Sequence, residues 1–184
     1  MGDPEAMTSR ELEGWLERLH EESFGWALSC CCGERAGAED VLQSTYLRVI
    51  AGEAVFGGRS AFRTWLFGVI RRVAWEHNRR ARTERTRTLR LDHPDARDAR
   101  MVADNRAAPD NVDSSRTLQA GLARLPARQR EVLHLVFYQD MSIAEAADVM
   151  EISVGSARTH YERGKARLKA LLADSMHERP SSGS

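Results

Sequence analysis

The protein has 184 residues, and its 27 lysines and arginines are matched by 27 aspartates and glutamates. Hydrophobic residues make up 42% of the chain and charged residues 29%, a balance typical of globular rather than disordered proteins. No apolar run approaches the roughly 20 residues that span a bilayer, and the formal net charge of zero argues against a uniformly basic nucleic-acid binder.

The zero net charge hides an uneven distribution along the chain. Residues 1–47 carry three basic and ten acidic groups, a net of −7, whereas residues 71–90 carry eight arginines and two glutamates, a net of +6. Residues 91–115 return to −3, and residues 154–169 reach +4. Two basic stretches set among acidic ones are typical of a protein that contacts nucleic acid. For either stretch alone, a solvated helix face is an equally good explanation.

The first half of the chain predicts three helices. Residues 1–7 lack a signal-peptide core and resemble an expression remnant, so we leave them outside the fold. The segment Thr8–Glu11 has the form of a capping box, and apolar residues at helical spacing follow it up to a stop at Gly33. A second helix is predicted over residues 38–51. After a glycine-containing loop, a third helix begins near Ser60 and continues into the arginine-rich stretch.

Residues 92–109 are predicted to form a flexible acidic linker, because apolar periodicity ends there and prolines and aspartates accumulate. The linker separates a helical domain at residues 8–91 from a second one at residues 110–173. Residues 174–184 are predicted to be a disordered tail. Since no β pattern competes with the helical spacing, the predicted fold class is all-α, with two small helical domains.

The second domain contains a predicted helix-turn-helix. A capping box at Ser142–Glu145 opens a helix that ends near Met150, residues 151–153 make a turn, and a last helix runs from about Val154 to Leu172. Small residues on the first helix allow the second to pack closely and to present its outer face to a DNA major groove. An ordinary helical hairpin is the alternative, which the capping, the turn length and the basic outer face disfavour.

Three segments of the second domain resemble region 4 of bacterial sigma factors, most of all those of the extracytoplasmic-function (ECF) group: residues 125–132, 141–147 and 153–159. In that family, the second helix of this helix-turn-helix recognises the −35 promoter element. His160 stands where the family commonly has arginine or lysine, which removes a permanent charge. The resemblance implies these −35-binding residues: Ser156, Arg158, Thr159, Glu162, Arg163 and Lys165.

The first domain resembles region 2 of the same family. Residues 38–49 are similar to the segment that docks on the polymerase clamp, and residues 62–67 and 71–80 are similar to the −10 segment, with Arg72 where asparagine is common. The resemblance implies these contacts with core RNA polymerase: Asp40, Gln43, Tyr46 and Arg48. It implies these residues for −10 binding and melting: Phe56, Arg59, Ser60, Arg63, Arg72, Trp75, Arg79 and Arg80.

The chemistry that this resemblance implies is strand opening rather than bond breaking. Losing about three base-pair steps costs roughly 4 kcal/mol at ~1.4 kcal/mol each, and each flipped base captured by the protein returns about 1–3 kcal/mol. Phe56, in the loop at residues 52–60, is placed for such a capture. Packing of Phe56 against its own domain is the alternative. The helical phase marks Trp65 as a core residue and leaves Trp75 more exposed.

The sequence predicts neither a catalytic site nor a metal site. Cys30, Cys31 and Cys32 are adjacent, and adjacent helical residues point in different directions, so we interpret them as buried or incidental thiols, with redox sensing as the alternative. The six histidines show no ligand spacing, and no phosphate-binding glycine loop is present. We therefore expect a protein that is not an enzyme and that uses no cofactor.

The resemblance implies a sigma factor that directs promoter-specific initiation and starts promoter melting. Its expected partners are core RNA polymerase, promoter DNA and an anti-sigma factor, and its expected location is the cytoplasm, in association with the nucleoid and without membrane insertion. Two alternatives stay open. A conventional helix-turn-helix regulator would leave the similarity at residues 38–80 unexplained. A sigma-like mimic that only sequesters an anti-sigma factor would leave both basic stretches unexplained.

Overall fold

The computed structural model describes residues 7–92 and 112–177. Over these two ranges the chain forms eight α-helices and no β-strand, which confirms the predicted all-α class. None of these helices is both long and apolar enough to cross a membrane. The helices group into two compact units. The predicted linker beyond residue 92 and the end of the predicted tail, residues 178–184, lie outside the described residues.

Four helices form the first unit: α1 (Ser9–Arg18), α2 (His20–Cys30), α3 (Arg35–Ile50) and α4 (Phe62–Asp92). The predicted capping box starts α1. The backbone N–H of Glu11 donates to Thr8 Oγ1 at 3.3 Å, and the Glu11 carboxylate accepts the Thr8 backbone N–H at 2.9 Å. These contacts satisfy backbone donors that the first turn of a helix otherwise leaves without partners.

The chain from Ser9 to Cys30, where the apolar pattern predicts one helix, forms two helices. Leu19, with φ −94° and ψ 5°, leaves helical geometry between α1 and α2, while its side chain stays buried. The Leu19 N–H still donates to the Trp15 carbonyl at 3.1 Å, and its carbonyl accepts the Ser23 N–H at 2.8 Å. The bend therefore costs little backbone hydrogen bonding, and the apolar spacing continues through it.

Trp26 fixes α2 against α4. Its side chain is 0% exposed, its Nε1–H donates to the Phe67 carbonyl at 3.0 Å, and its ring stacks on the Phe67 ring with centroids 6.2 Å apart. The hydrogen bond satisfies the buried indole N–H, and burial of so large a side chain contributes roughly 2–3 kcal/mol. Leu66, Phe67 and Ile70 all face this core at 0% exposure, and the exposed positions of α4 begin further along the helix, at Arg72.

The second unit is built from α5 (Val112–Ala123), α6 (Ala127–Phe137), α8 (Val154–His177) and most of α7 (Ile143–Met150). α8 packs against both α5 and α6. α8 also extends to His177, four residues past the predicted end of the domain at residue 173, so the first residues of the predicted tail are helical. Residues 174–177 contain neither proline nor glycine, so their sequence is compatible with a continued helix.

α7, a short turn and α8 form the predicted helix-turn-helix. The capping box that opens α7 is present, since the Glu145 carboxylate accepts the Ser142 backbone N–H at 2.8 Å and Ser142 Oγ accepts the Glu145 N–H at 3.2 Å. In the turn, Glu151 takes a left-handed φ of 54°. The Ile152 N–H then donates to the Ala147 carbonyl at 3.1 Å, which closes the turn and redirects the chain into α8.

Small residues on α8 determine which of its sides faces the core. A Cβ atom at Gly164 would lie 3.1 Å from Leu133 Cδ1 and 3.3 Å from the Gln129 carbonyl oxygen. Ala157, two turns earlier, is 0% exposed. α6 and α8 therefore approach each other at a distance that only a very small side chain permits, and the opposite side of α8 remains in solvent.

We expect Gly164→Val to lower the free energy of unfolding by about 1–3 kcal/mol, because the added side chain overpacks the contact with α6. Gly155→Val is the matched control, since a Cβ there would have no neighbour nearer than Ser153 Oγ at 4.0 Å. This control should change stability by less than about 0.5 kcal/mol. Urea unfolding followed by far-ultraviolet circular dichroism measures both. Equal losses in the two variants would contradict the close packing.

Candidate nucleic-acid and polymerase interfaces

The outer face of α8 carries the residues predicted to contact the −35 element. Arg158, Thr159, Glu162 and Arg163 are all exposed, whereas Ala157 is buried. The structure therefore places these four side chains in solvent, on a helix whose first three residues are also exposed. Arginine forks in such a position fit phosphate oxygens and the edge of guanine.

Two of the predicted hydroxyl contacts differ in what they can still donate. Ser153 caps α8, because its Oγ accepts the Ser156 N–H at 3.1 Å and donates to Ser156 Oγ at 2.9 Å. Ser156 therefore keeps its own hydroxyl proton for an acceptor such as a phosphate oxygen. Thr159 Oγ1 instead donates to the Gly155 carbonyl at 2.9 Å, so its proton is used inside the helix.

Lys165 is exposed but interacts with a neighbouring aromatic ring. Its Nζ lies 5.1 Å from the centroid of the Tyr161 ring, and that ring stacks on Phe137 with centroids 5.8 Å apart. A cation–π contact at an exposed site is worth about 0.5–1 kcal/mol. The Lys165 charge is therefore drawn toward the α6 side of α8, away from the face that carries Arg158.

The solvent side of α4 forms a basic and aromatic stripe. Arg72, Trp75 and Arg79 are exposed at helical spacing, and Arg80 is exposed beside them. The Trp75 side chain is 63% exposed, and the Arg79 guanidinium lies 5.1 Å from the centroid of its ring. Cations next to an exposed aromatic face are the elements that bind the backbone and stack the bases of single-stranded nucleic acid. The structure thus brings these four predicted −10 residues together.

Arg63 lies apart from that stripe. Its Nε is 2.6 Å from the Glu22 carboxylate on α2, and its guanidinium lies 5.3 Å from the centroid of the Phe67 ring. The ion pair joins α2 to the start of α4, whereas the ring contact lies within α4. Of the predicted −10 residues, Arg63 therefore has a structural partner that the sequence pattern did not indicate.

An aromatic cluster holds the loop between α3 and α4. The Phe56 ring packs on Phe62 and Trp65 with centroid distances of 5.3 and 5.4 Å, and Phe62 in turn contacts Trp15 of α1 at 5.7 Å. Phe56 is only partly exposed, whereas its neighbour Val55 is 75% exposed. The apolar side chain that this loop offers to solvent is therefore Val55, which sequence reasoning missed.

The other two predicted residues of this loop lie at its end. Arg59 is exposed, directly after Gly58, which has a left-handed φ of 66°. Ser60 is partly buried, and its Oγ donates to the Ala61 carbonyl at 3.3 Å. The Arg59 charge is thus available to a phosphate, while the Ser60 hydroxyl already has an acceptor.

The exposed face of α3 combines polar and apolar side chains. Asp40 and Gln43, both predicted to contact polymerase, are exposed. Leu47 and Ile50 continue the same face at helical spacing and are 62% and 61% exposed. Exposed leucine and isoleucine along one helix face are typical of a protein-binding surface. Sequence analysis did not identify Leu47 and Ile50, because helical spacing of apolar residues indicates the buried side of a helix and not its exposed side.

Tyr46 and Arg48 are partly buried rather than fully exposed on that face. Burial raises the pKa of the Tyr46 phenol, and its hydroxyl lies 3.3 Å from Nδ1 of His20. Arg48 donates two hydrogen bonds to Glu76 of α4, Nη2 to Oε2 at 2.7 Å and Nη1 to Oε1 at 3.3 Å. These hydrogen bonds lower the pKa of the Glu76 carboxyl and raise that of Arg48, so both groups stay charged.

The three adjacent cysteines have different environments at the end of α2. Cys31 is buried, and burial raises the pKa of its thiol to about 12. Cys30 is partly exposed, whereas Cys32 is exposed with a left-handed φ of 58°. Among the described residues, no three histidine, cysteine or acidic side chains are grouped so that they could hold a metal ion.

Two sequence families and several known proteins are similar to this chain. Sigma-70 region 2 matches residues 15–84, and sigma-70 region 4 matches residues 115–168. The ECF RNA polymerase sigma factor SigC of Mycobacterium tuberculosis is 32% identical over 165 residues, which cover 90% of this chain and 83% of SigC. The chain belongs to the ECF sigma factors. SigX of Bacillus subtilis, also an ECF sigma factor, is 35% identical over 129 residues, or 68% of this chain and 66% of SigX.

A solved structure supports the same fold for this ECF sigma factor. The sigma factor RpoE from Bartonella quintana, in complex with the anti-sigma factor NepR, has a TM-score of 0.71 and 22% identity, and the similarity covers 89% of this chain and 98% of that one. The first unit accordingly corresponds to region 2 and the second to region 4. Because region 2 is present beside the helix-turn-helix region, the similarity at residues 38–80 is explained, and a conventional helix-turn-helix regulator is not favoured.

Proposed function

We propose that this ECF sigma factor binds core RNA polymerase and directs it to promoters by reading a −35 element with α8 and a −10 element with α4 and its preceding loop. The observation that carries the proposal is the presence of both sigma regions, in the family's order, each with an exposed basic helix face. The protein acts without catalysis of its own, in the cytoplasm and on the nucleoid.

At the −35 element, α8 enters the major groove with its first turns toward the bases. Arg158 and Arg163 supply the planar forks for guanine edges and phosphates, and each good bidentate contact discriminates between bases by about 1–3 kcal/mol. Ser156 donates to a phosphate at the start of the helix, where backbone N–H groups also favour an anion. Duplex recognition at this end sets the register of the whole subunit.

At the −10 element, region 2 binds DNA whose strands have separated. The basic stripe of Arg72, Arg79 and Arg80 binds the phosphates of the displaced strand, and Trp75 provides a stacking surface in its midst. A base stacked on an aromatic side chain returns about 1–3 kcal/mol, against ~1.4 kcal/mol for each base-pair step lost. The free energy from two captured bases and the arginine contacts is therefore comparable to the free energy needed to start strand separation.

An anti-sigma factor is a further proposed partner. The sigma factor RpoE that this chain resembles in fold was solved in complex with the anti-sigma factor NepR. Such a partner would have to cover the exposed side chains of α3 or the basic face of α8, since these surfaces serve the polymerase and the promoter. We propose that an anti-sigma factor binds this sigma factor on one of these surfaces and so keeps it from the polymerase or the promoter.

Run-off transcription with purified core RNA polymerase on a library of random promoters tests the proposed function. Wild-type protein should select templates that share two short motifs separated by a fixed spacing, whereas core polymerase alone should select none. Transcripts without a shared motif would contradict the proposal. Tight binding of the isolated protein to one duplex sequence, with no transcript, would favour a conventional regulator instead.

We expect Arg158→Ala to reduce initiation at −35-dependent promoters about tenfold and to relax the base preference at one −35 position, because it removes a major-groove contact. Arg167→Ala is the matched control, since Arg167 is also exposed on α8 but lies more than two turns further from the helix start. Transcription from a −35 mutant library measures both variants. Unchanged preference in Arg158→Ala would show that another face of α8 reads the bases.

Phe56→Leu distinguishes loop packing from base stacking. Because the Phe56 ring packs against Phe62 and Trp65, leucine should preserve the loop and keep promoter opening within about threefold of wild type. Phe56→Ser should lower both the free energy of unfolding, by roughly 2–3 kcal/mol, and promoter opening. Fluorescence of 2-aminopurine in the −10 element measures opening. A loss of opening in Phe56→Leu at unchanged stability would assign a stacking role to the ring.

A further inference from the structure

We propose that Arg48 is a positioning residue of the −10 interface, which acts on DNA by neutralising Glu76 rather than by touching polymerase or DNA itself. The inference rests on the proposed function of α4. It differs from the role that the sequence resemblance implies for Arg48, which is a direct contact with core polymerase. The structure motivates the change, because it shows which group the guanidinium binds.

Arg48 on α3 and Glu76 on α4 form a bidentate ion pair. The two guanidinium Nη atoms of Arg48 donate to the two carboxylate oxygens of Glu76 at 2.7 and 3.3 Å. Both side chains are about one-third exposed, at 33% and 36%. Two parallel hydrogen bonds restrict the orientation of both groups, so the Glu76 carboxylate points toward α3 and away from the solvent side of α4.

Glu76 is the acidic residue within the basic stripe of α4. It follows Trp75 directly, and its carboxylate interacts electrostatically with both Arg79 and Arg80. A free carboxylate at this place would repel phosphates and compete with them for these arginines. Arg48 supplies the compensating positive charge from the neighbouring helix, which leaves Arg79 and Arg80 to the DNA.

Arg48 on α3, the helix proposed to face polymerase, therefore controls the net charge of the stripe on α4, the helix proposed to face DNA. Loss of Arg48 adds one uncompensated negative charge to the stripe, although no DNA-contacting residue has changed. The loss should weaken DNA binding more at low salt than at high salt, because an electrostatic effect is screened by ions. Removal of the Glu76 charge in the same molecule should then restore DNA binding.

The test compares holoenzymes that contain wild-type protein, Arg48→Ala, Glu76→Gln or the double variant. The probe is a promoter fragment that is single-stranded across the −10 element, and the readouts are its Kd as a function of salt and the Kd for core polymerase. Arg35→Ala is the matched control, because Arg35 is another arginine of α3 with an acidic partner, Glu39 at 2.8 Å on the same helix. Arg48→Lys keeps the charge and is the conservative control, whereas Arg48→Gln removes the charge and replaces Arg48→Ala if that variant does not fold.

Arg48→Ala should weaken DNA binding about three- to tenfold at 0.1 M salt. It should also lower the slope of log Kd against log salt concentration by about 0.7–0.9. Glu76→Gln, Arg48→Lys, Arg35→Ala and the double variant should all bind DNA within about twofold of wild type or more tightly. All variants should keep their affinity for core polymerase.

Three results would overturn the inference in different ways. Loss of affinity for core polymerase in Arg48→Ala, not restored by Glu76→Gln, would assign Arg48 a direct polymerase contact. If the variant with both Arg48→Ala and Glu76→Gln binds DNA as weakly as Arg48→Ala, the Arg48–Glu76 ion pair matters only for the packing of α3 against α4. A wild-type holoenzyme without promoter binding would overturn the proposed function itself, and with it the role of Glu76.

Discussion

The attachment of α4 to α2 is the constraint on which the proposed −10 interface depends. α4 has 31 residues, and its first half is held by the buried Trp26 indole, which bonds to the Phe67 carbonyl at 3.0 Å. Since that contact fixes the inner side of the helix, it also fixes the outer side, where Arg72 and Trp75 are exposed. The two hydrogen bonds between Arg48 and Glu76 attach α4 to α3 at the residue directly after Trp75.

In region 4, too, the packing of one side of a helix determines which side is exposed. There the contact is close helix packing at small residues rather than a large aromatic side chain. Gly164 and Ala157 bring α8 against its neighbours, so that Arg158 and Glu162 face solvent. The zero net charge of the chain is the sum of segments with opposite charge, such as −7 in residues 1–47 and +6 in residues 71–90. Basic charge collects on the outer sides of the two helices proposed to meet DNA, while part of the acidic charge, such as Glu22 and Glu76, pairs with arginines inside region 2.

Local signals predicted the helices well, and contacts between helices could not be predicted from them. The capping boxes at Thr8 and Ser142 form as their sequences indicate, because each involves residues only three positions apart. The bend at Leu19 escapes the apolar pattern, which runs through it unchanged. Among the candidate site residues, exposure followed from helical phase on α8 and on the outer side of α4. The partners of Arg48, Phe56 and Arg63 depend on where α4 lies against α2, α3 and the loop, and no spacing rule carries that information.

Region 4 is proposed to anchor the subunit on duplex DNA, and region 2 to stabilise separated strands. Permanganate, which oxidises unpaired thymines, tests this division of tasks on a promoter selected by this sigma factor. With core polymerase and wild-type protein, thymines within the −10 element should become reactive while those of the −35 element stay protected. Core polymerase alone and the sigma factor alone should produce no reactive thymines. Reactive thymines with core polymerase alone, or none with the holoenzyme on a promoter that it binds, would contradict this division of tasks.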